Sequence, residues 1–232
     1  MVPAGFLFVW SGSMNDYTGR QTDFESVASP FPDSPFVVMK FGGRSVSTAE
    51  NWGRIAELLR QRLDSALKPV VVHSALAGVS DALEKLLDTA VHGDPTPVLA
   101  DIRETHDRLA GELGVNPTIL DEQFHTLTRL IDGVCLLREV SPGVHARVMA
   151  SGELAATTLG ASYLHSRGLP AQWWDARTLL EAEESRNLPE RAQFLSAACA
   201  HDADPQLQKL LQGVEGFIVT QGFIGRNSRH DT

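Results

Sequence analysis

Residues 36–45 of the chain are Phe36-Val37-Val38-Met39-Lys40-Phe41-Gly42-Gly43-Arg44-Ser45. An apolar run of this length that ends in two glycines predicts a buried strand of a parallel sheet. Ser47 and Glu50 follow with the S-x-x-E spacing of a capping box, which predicts the start of a helix. Backbone N–H groups in a turn between a strand and a helix bind anions, and Lys40 adds a positive charge. We therefore expect a phosphate at this turn.

A second unit of the same kind follows. Val70–Val72 is a short apolar run that predicts another buried strand, and the small residues of segment 73–78 come directly after it. Ser80 is the predicted N-cap of the next helix. Two successive strand–loop–helix units predict an α/β fold with a parallel sheet, in which ligands bind at the carboxyl ends of the strands. The two loops are expected to lie side by side.

The rest of the chain continues this pattern. Apolar runs predict further strands at residues 171–175 and 216–222. Helical periodicity and breaks at Gly and Pro predict helices over residues 98–113, 118–139, 142–167, 188–200 and 203–212.

Composition restricts the classes of function. The 232 residues are 43% hydrophobic, which is enough for one sizeable core. A net charge of -9 with no basic face argues against nucleic acid as a partner. The two cysteines are far apart in sequence, so neither a disulfide framework nor a zinc site is expected, and a reducing cytoplasm is the predicted location. No apolar stretch reaches the ~20 residues that cross a membrane.

The N-terminal 35 residues differ from the remainder. The apolar cluster Phe6–Trp10 lacks the basic flank and the length of a secretory signal. Segment 11–35 is rich in Ser, Asp, Gly and Pro, so residues 1–35 are predicted to form a flexible lead-in and residues 36–232 a single lobe. Met14 is a second candidate for the start of translation, a hypothesis that an N-terminal mass measurement would settle.

Ser151-Gly152-Glu153 is a further candidate site, inside the helix predicted over residues 142–167. A glycine in the middle of a helix costs about 1 kcal/mol relative to alanine, so we expect a close approach of another element at Gly152. Glutamate is usually exposed, and a solvated surface carboxylate is one interpretation of Glu153. The residues after Glu153 are unusually apolar, which favours the second interpretation, a carboxylate that holds a cation such as a substrate ammonium.

Five motifs together resemble the amino-terminal lobe of the aspartate kinases, in the amino-acid-kinase family. The resemblance covers about Val37 to Gly225 and implies a three-layer sandwich with a mainly parallel sheet. The motifs occur in the family's order and are Lys40-Phe41-Gly42-Gly43-x-Ser45, Val72-x-Ser74-Ala75-Leu76-Ala77-Gly78-Val79-Ser80, Ser151-Gly152-Glu153, Asp175-Ala176-Arg177 and Thr220-Gln221-Gly222-Phe223-Ile224-Gly225.

The resemblance also implies roles for individual residues. Lys40 would be the catalytic residue that neutralises charge on the transferred phosphoryl group. Two sets of residues would contact the ligands. The phosphate contacts are Lys40, Gly42, Gly43 and Ser45, and the substrate contacts are Ser74, Ala75, Ser80, Glu153 and Phe223. Glu153 would hold the substrate ammonium.

The implied reaction is phosphorylation of the β-carboxylate of L-aspartate by ATP, which gives 4-phospho-L-aspartate and ADP. Mg²⁺ would arrive with ATP, and no metal site of the protein itself is expected. A catalytic base is not required, because a carboxylate with a reference pKa near 4 is ionised at neutral pH. In the family this is the first step towards lysine, threonine and methionine, and the resemblance implies a homo-oligomer of the full-length parent.

Two departures from the family pattern affect the expected activity. Arg44 stands where the family has a small hydroxyl residue, and a cation there either grips a phosphate or crowds the loop. Residues 226–232 stand where the family continues into a Gly-Arg-Gly-Gly-Ser-Asp segment and its nucleotide-binding lobe. We therefore expect an incomplete lobe with impaired or no activity alone. The alternatives are another amino-acid kinase, of glutamate or acetylglutamate type, and a non-catalytic binding or assembly module.

Overall fold

A computed structural model describes the backbone of residues 7–10 and all atoms of residues 34–183, 189–195, 198–199 and 202–232. Within this part, five parallel strands form one sheet in the order β1-β2-β3-β5-β4. Their bounds are Leu7–Trp10 for β1, Phe36–Phe41 for β2, Lys68–His73 for β3, Ala171–Trp173 for β4 and Phe217–Gln221 for β5. The parallel α/β fold predicted from the sequence is confirmed.

Eight helices connect the described strands. They are α1 (Ala49–Asp64), α2 (Val79–His92), α3 (Thr96–Leu113), α4 (Asp121–Leu137), α5 (Pro142–Ser166), α6 (Ala176–Leu179), α7 (Glu190–Leu195) and α8 (Pro205–Gln212). Short 3-10 turns precede α1 and α4, at Gly43–Val46 and Pro117–Leu120.

Helices cover both faces of the sheet. This follows because the buried side chains of the strands belong to two separate clusters. Val37, Met39 and Val71 belong to the large core that contains side chains of α1, α2 and α5. Phe36 and Ile218, one residue out of phase, pack with Leu211 of α8 in a smaller cluster. Since successive side chains of a strand point to opposite faces, this division gives three layers, helices, sheet and helices.

Strand β1 lies at the edge of the sheet, where Leu7 is opposite Val37 in the register of β2. The flexible lead-in predicted for residues 1–35 did not include this strand. Residues 1–6 and 11–33, and Met14 among them, lie outside the described residues.

Two predicted helix caps were wrong. Thr48, and not Ser47, caps α1 by accepting from the N–H of Asn51, because the hydroxyl of Ser47 is bound elsewhere. Gly78 precedes α2 with a φ of 81°, a left-handed conformation that favours glycine, so Ser80 already lies inside the helix.

Two other predicted segments end differently in the structure. Among the described residues of the helix predicted over 188–200, Glu190–Leu195 form α7, whereas Cys199 forms an antiparallel bridge with Ala182. The helix predicted up to residue 139 ends at Leu137, because Arg138 adopts a left-handed φ of 55° and donates its N–H to Val134.

Candidate active site

The candidate site lies where three neighbouring strands end. Strands β2, β3 and β5 are adjacent, and their registers place Phe41 opposite His73 and His73 opposite Gln221. The loops that leave these strands, residues 42–48, 74–78 and 222–225, therefore start at the same edge of the sheet. Carboxyl ends of adjacent parallel strands are the usual position of ligand sites in α/β folds.

The two glycines of the first loop have different surroundings. A methyl group added to Gly43 would lie 2.7 Å from the carbonyl oxygen of Ala75 and 3.2 Å from the nitrogen of Ala77. Gly43 therefore allows the first two loops to pack backbone against backbone. A methyl group added to Gly42 would meet nothing within 4 Å, so Gly42 borders open space.

Lys40 and Phe223 bring the first and third loops together. The ammonium nitrogen of Lys40 lies 4.6 Å from the centre of the Phe223 ring, a cation–π distance. Phe223 is 74% exposed although it is large and apolar. The predicted catalytic lysine and the predicted substrate contact are therefore in direct contact.

Glu153 lies on α5 and is only 6% exposed, which agrees with the interpretation of a held carboxylate and not with a solvated one. Its Oε2 accepts hydrogen bonds from the backbone N–H groups of Gly222 and Phe223, both at 3.0 Å. Burial raises the pKa of Glu153, whereas these two N–H groups and the positive charge of Lys40 lower it. The carboxylate thus fixes the third loop and lies within the electrostatic influence of Lys40 on β2.

Gly152 allows α5 to pack closely against α2 and the loop after β3. A methyl group at Gly152 would lie 3.0 Å from Leu83 and 3.1 Å from both Ala75 and Val79. The close approach predicted for this mid-helix glycine is confirmed. Ala75, a predicted substrate contact, is buried and has its methyl group against Gly152.

A cavity of about 670 Å³ opens beside these loops. Four predicted substrate contacts line it, Ser74, Ser80, Glu153 and Phe223. The predicted phosphate contacts Lys40, Gly42, Gly43 and Ser45 do not line it and lie at the adjoining turn. His145 and Glu84 also line the cavity, and the Nε2 of His145 lies 3.0 Å from the Oε2 of Glu84.

Arg44 is exposed in the Gly43–Val46 turn, and its backbone carbonyl accepts from the Nδ2 of Asn51. In the described part of the chain its guanidinium has no recorded hydrogen bond or ion pair. The charge of Arg44 is therefore available to an anion at the turn.

A polar network that the sequence analysis missed supports the third loop. The side chain of Gln221 accepts from the N–H of Ala176 at 2.7 Å and donates to the hydroxyl of Thr157 at 2.7 Å. That hydroxyl also accepts from the indole N–H of Trp173. The signal for it was a glutamine at the end of an otherwise apolar strand, since buried polar side chains need hydrogen-bond partners.

The described residues contain neither a candidate membrane span nor a candidate metal site. No helix there is both long and apolar enough to cross a membrane. No group of three or more His, Cys, Asp or Glu side chains there is arranged to hold a metal ion.

Two curated proteins resemble this chain over most of its length. Aspartokinase 3, chloroplastic, from Arabidopsis thaliana is 31% identical over 201 residues, which are 83% of this chain and 34% of that protein. Lysine-sensitive aspartokinase 3 from Escherichia coli strain K12 is 31% identical over 204 residues, which are 86% of this chain and 43% of that protein. The chain thus spans less than half the length of these relatives.

Two solved structures are similar as well, both of E. coli aspartokinase III. The complex with aspartate and ADP superimposes with a TM-score of 0.62 at 26% identity, over 84% of this chain and 42% of that one. The complex with lysine and aspartate gives a TM-score of 0.69 at 28% identity, over 85% and 43%. The model of the amino acid kinase family matches residues 35–231. This match, together with the fold and the relatives, shows that the chain belongs to the amino acid kinase family.

Proposed function

We propose that the chain forms the acceptor-binding and phosphate-binding lobe of an aspartate kinase. In the proposed reaction the β-carboxylate of L-aspartate attacks the γ-phosphorus of ATP, a new carboxyl–phosphate bond forms, and the bond to ADP breaks. The products are 4-phospho-L-aspartate and ADP. Mg²⁺ enters as the complex with ATP.

The observation that carries this proposal is the position of Glu153. A buried carboxylate at the wall of an open cavity, with two amide N–H groups on one oxygen, is suited to a substrate ammonium on its other oxygen. Aspartate supplies both an ammonium for Glu153 and a carboxylate that can approach Lys40. The relatives named aspartokinase in plants and bacteria support the same substrate.

The remaining residues contribute charge and position. Phosphoryl transfer is accelerated mainly by alignment and by neutralisation of charge on the phosphoryl oxygens. Lys40 leaves the Phe223 ring, a weak partner for a cation, when a phosphate offers full negative charge. Backbone N–H groups of the Gly42–Gly43 turn and the guanidinium of Arg44 add further positive potential.

Calorimetric titration of the chain with small acids tests the proposal. We expect L-aspartate to bind and succinate, which lacks the ammonium, to bind at least tenfold more weakly. Glu153→Gln should remove most of this difference, because the ion pair with the ammonium is lost. Glu84→Gln is the matched control, since Glu84 lines the same cavity but is exposed and has its carboxylate on His145.

Other outcomes distinguish the alternatives. Stronger binding of L-glutamate or N-acetyl-L-glutamate would assign the chain to a different amino-acid kinase. Binding of none of these acids would favour a non-catalytic module. An aspartyl hydroxamate assay with MgATP measures transfer separately, and formation of the hydroxamate would show that this chain completes the reaction by itself.

A further inference from the structure

The hydroxyl of Ser47 joins two of the three loops of the candidate site. It donates to the carbonyl oxygen of Gly43 at 2.6 Å and accepts from the backbone N–H of Ala77 at 2.8 Å. Ala77 is 30 positions further along the chain. Ser47 is half-buried at the bend between the 3-10 turn and α1, so its hydroxyl is held between the two loops.

The first loop is otherwise attached to its own helix. The Nδ2 of Asn51 donates to the carbonyl of Arg44 at 3.2 Å, and the indole N–H of Trp52 donates to the carbonyl of Val46 at 2.9 Å. Side chains at the start of α1 thus fix the turn to that helix. In the described residues, Ser47 provides the side-chain hydrogen bond that continues from this turn to the loop after β3.

The two loops are in close contact beside this hydrogen bond. Gly43 and Ala75 are packed so closely that a methyl group on Gly43 would clash with the Ala75 carbonyl. At the strand ends the backbone N–H of Ser74 donates to the carbonyl of Phe41 at 3.3 Å. Beyond that point the Ser47 hydroxyl adds a directional hydrogen bond, which fixes the separation of the loops more narrowly than van der Waals contact does.

We propose that Ser47 is a positioning residue that sets the distance between the phosphate-side loop, residues 42–45, and the acceptor-side loop, residues 74–78. This inference rests on the proposed function, because it assigns the phosphate to one loop and the acceptor acid to the other. In-line transfer requires the reacting atoms to be held at about 3 to 3.5 Å, and a misplacement of 1 Å costs about 100-fold in rate. Ser47 acts on that separation and touches neither ligand.

The first test measures hydrogen exchange of the Ala77 amide by NMR. We expect Ser47→Ala to accelerate this exchange at least tenfold, because the amide loses its acceptor. Ser47→Thr retains a hydroxyl and should restore protection. Ser65→Ala is the matched control at the opposite end of α1, where the hydroxyl of Ser65 donates to the carbonyl of Gln61 within the same helix end. Unchanged exchange at Ala77 in Ser47→Ala would overturn the proposal.

The second test separates positioning from general stabilisation. With MgATP and L-aspartate, Ser47→Ala should lower kcat at least tenfold while the KM of each substrate stays within threefold, because each loop is still intact. Equal kcat with raised KM values would contradict the assigned role. Failure of L-aspartate to bind in the calorimetric titration would count against the proposed function, whereas exchange at Ala77 decides separately whether Ser47 links the loops.

Discussion

Glu153 combines two tasks in one buried carboxylate. Its Oε2 binds the N–H groups of Gly222 and Phe223 and so determines the course of the third loop. Burial raises its pKa, and the two N–H groups and Lys40 act in the opposite direction. A buried carboxylate in this setting needs a positive partner, and Lys40 supplies only part of one because its ammonium lies on Phe223.

Stability measurements can separate the two tasks of Glu153. We expect Glu153→Ala to lower the free energy of unfolding by about 1 to 3 kcal/mol, because two N–H groups of the third loop lose their charged acceptor. Glu153→Gln keeps an oxygen in place and should lose less. Urea unfolding of both variants beside Glu84→Ala, an exposed carboxylate, tests this expectation. A loss in Glu153→Ala no larger than in Glu84→Ala would show that the loop does not depend on Glu153.

Gly42 and Gly43 are adjacent and should respond differently to alanine. Gly43→Ala should lower the free energy of unfolding by about 1 to 3 kcal/mol, because its methyl group meets the backbone of the second loop. Gly42→Ala should stay within about 0.5 kcal/mol of wild type, since its φ of -79° suits any residue and nothing lies within 4 Å. Thermal unfolding of the two variants measures the difference, and equal losses would contradict the described packing.

At the scale of secondary-structure elements, the packing position of helix α5 depends on two glycines. Gly152 lets it approach α2 and the second loop, and Gly160 lets it approach α1 and the sheet. A methyl group on Gly160 would overlap the Trp52 ring and lie 2.9 Å from the Nε2 of His73. These two close approaches set the depth at which Glu153 enters the site.

Alanine substitution at two helical glycines should have opposite effects. Gly160→Ala should lower stability by about 1 to 3 kcal/mol, because the rigid ring of Trp52 cannot yield easily. Gly133→Ala in α4 should raise stability by about 0.5 to 1 kcal/mol, because nothing lies within 4 Å and alanine is the better helix former. Denaturant unfolding of both variants measures the two signs. Stabilisation by Gly160→Ala would refute the proposed contact.

The elements differ in how far the sequence predicts them. Strands β2, β3 and β5 were predicted because strands buried on both faces are nearly continuous apolar runs. The cap of α1 was not, because Ser47 and Thr48 are both good caps and the choice depends on Ala77, a residue of another loop. Propensity alone cannot rank two adjacent hydroxyl residues when a tertiary contact takes one of them.

The same limit applies to the candidate site. Sequence motifs selected Lys40, Glu153 and Phe223, and the structure brings these three residues into one region. The amide partners of Glu153 could not be predicted, because backbone N–H groups leave no trace in the sequence. Their use depends on how α5 packs against the loop after β5.

At the scale of the whole molecule, two buried histidines of the described residues are not used by the candidate site. His73 and His106 are both fully buried, and each has its Nδ1 near a backbone carbonyl and its Nε2 without a recorded partner in the described residues. Burial lowers the pKa of both, to about 4 for His73. The folded chain therefore requires these two imidazoles to be neutral.

As the pH is lowered, the chain should consequently begin to lose stability at pH values well above the pKa values of ordinary carboxylates. The pKa of His73 falls from 6.5 to about 4 on folding, so its contribution to stability is complete above pH 6.5 and is lost as the pH falls to about 4. A shift of this size corresponds to about 3 kcal/mol. His73→Gln should reduce the decrease in the free energy of unfolding between pH 6.5 and about 4, and the part of the decrease due to His106 should remain. Urea unfolding from neutral pH to about pH 4 measures it, and an unchanged slope in His73→Gln would exclude His73 as the cause.

The strand order has a consequence for how the chain acquires its fold. Strand β5 is the last of the described strands in sequence, yet it inserts between β3 and β4, and Val70, which is opposite Val38 of β2, has its partner on the other side only at Ile218. Pairings between such distant segments form slowly, because much of the chain must be ordered before they can be made. During synthesis from the N-terminus, β3 keeps an unpaired edge until residue 221 has emerged. Until then that edge is available for pairing with other chains. The candidate site is also incomplete until then, because the loop that carries Phe223 follows β5.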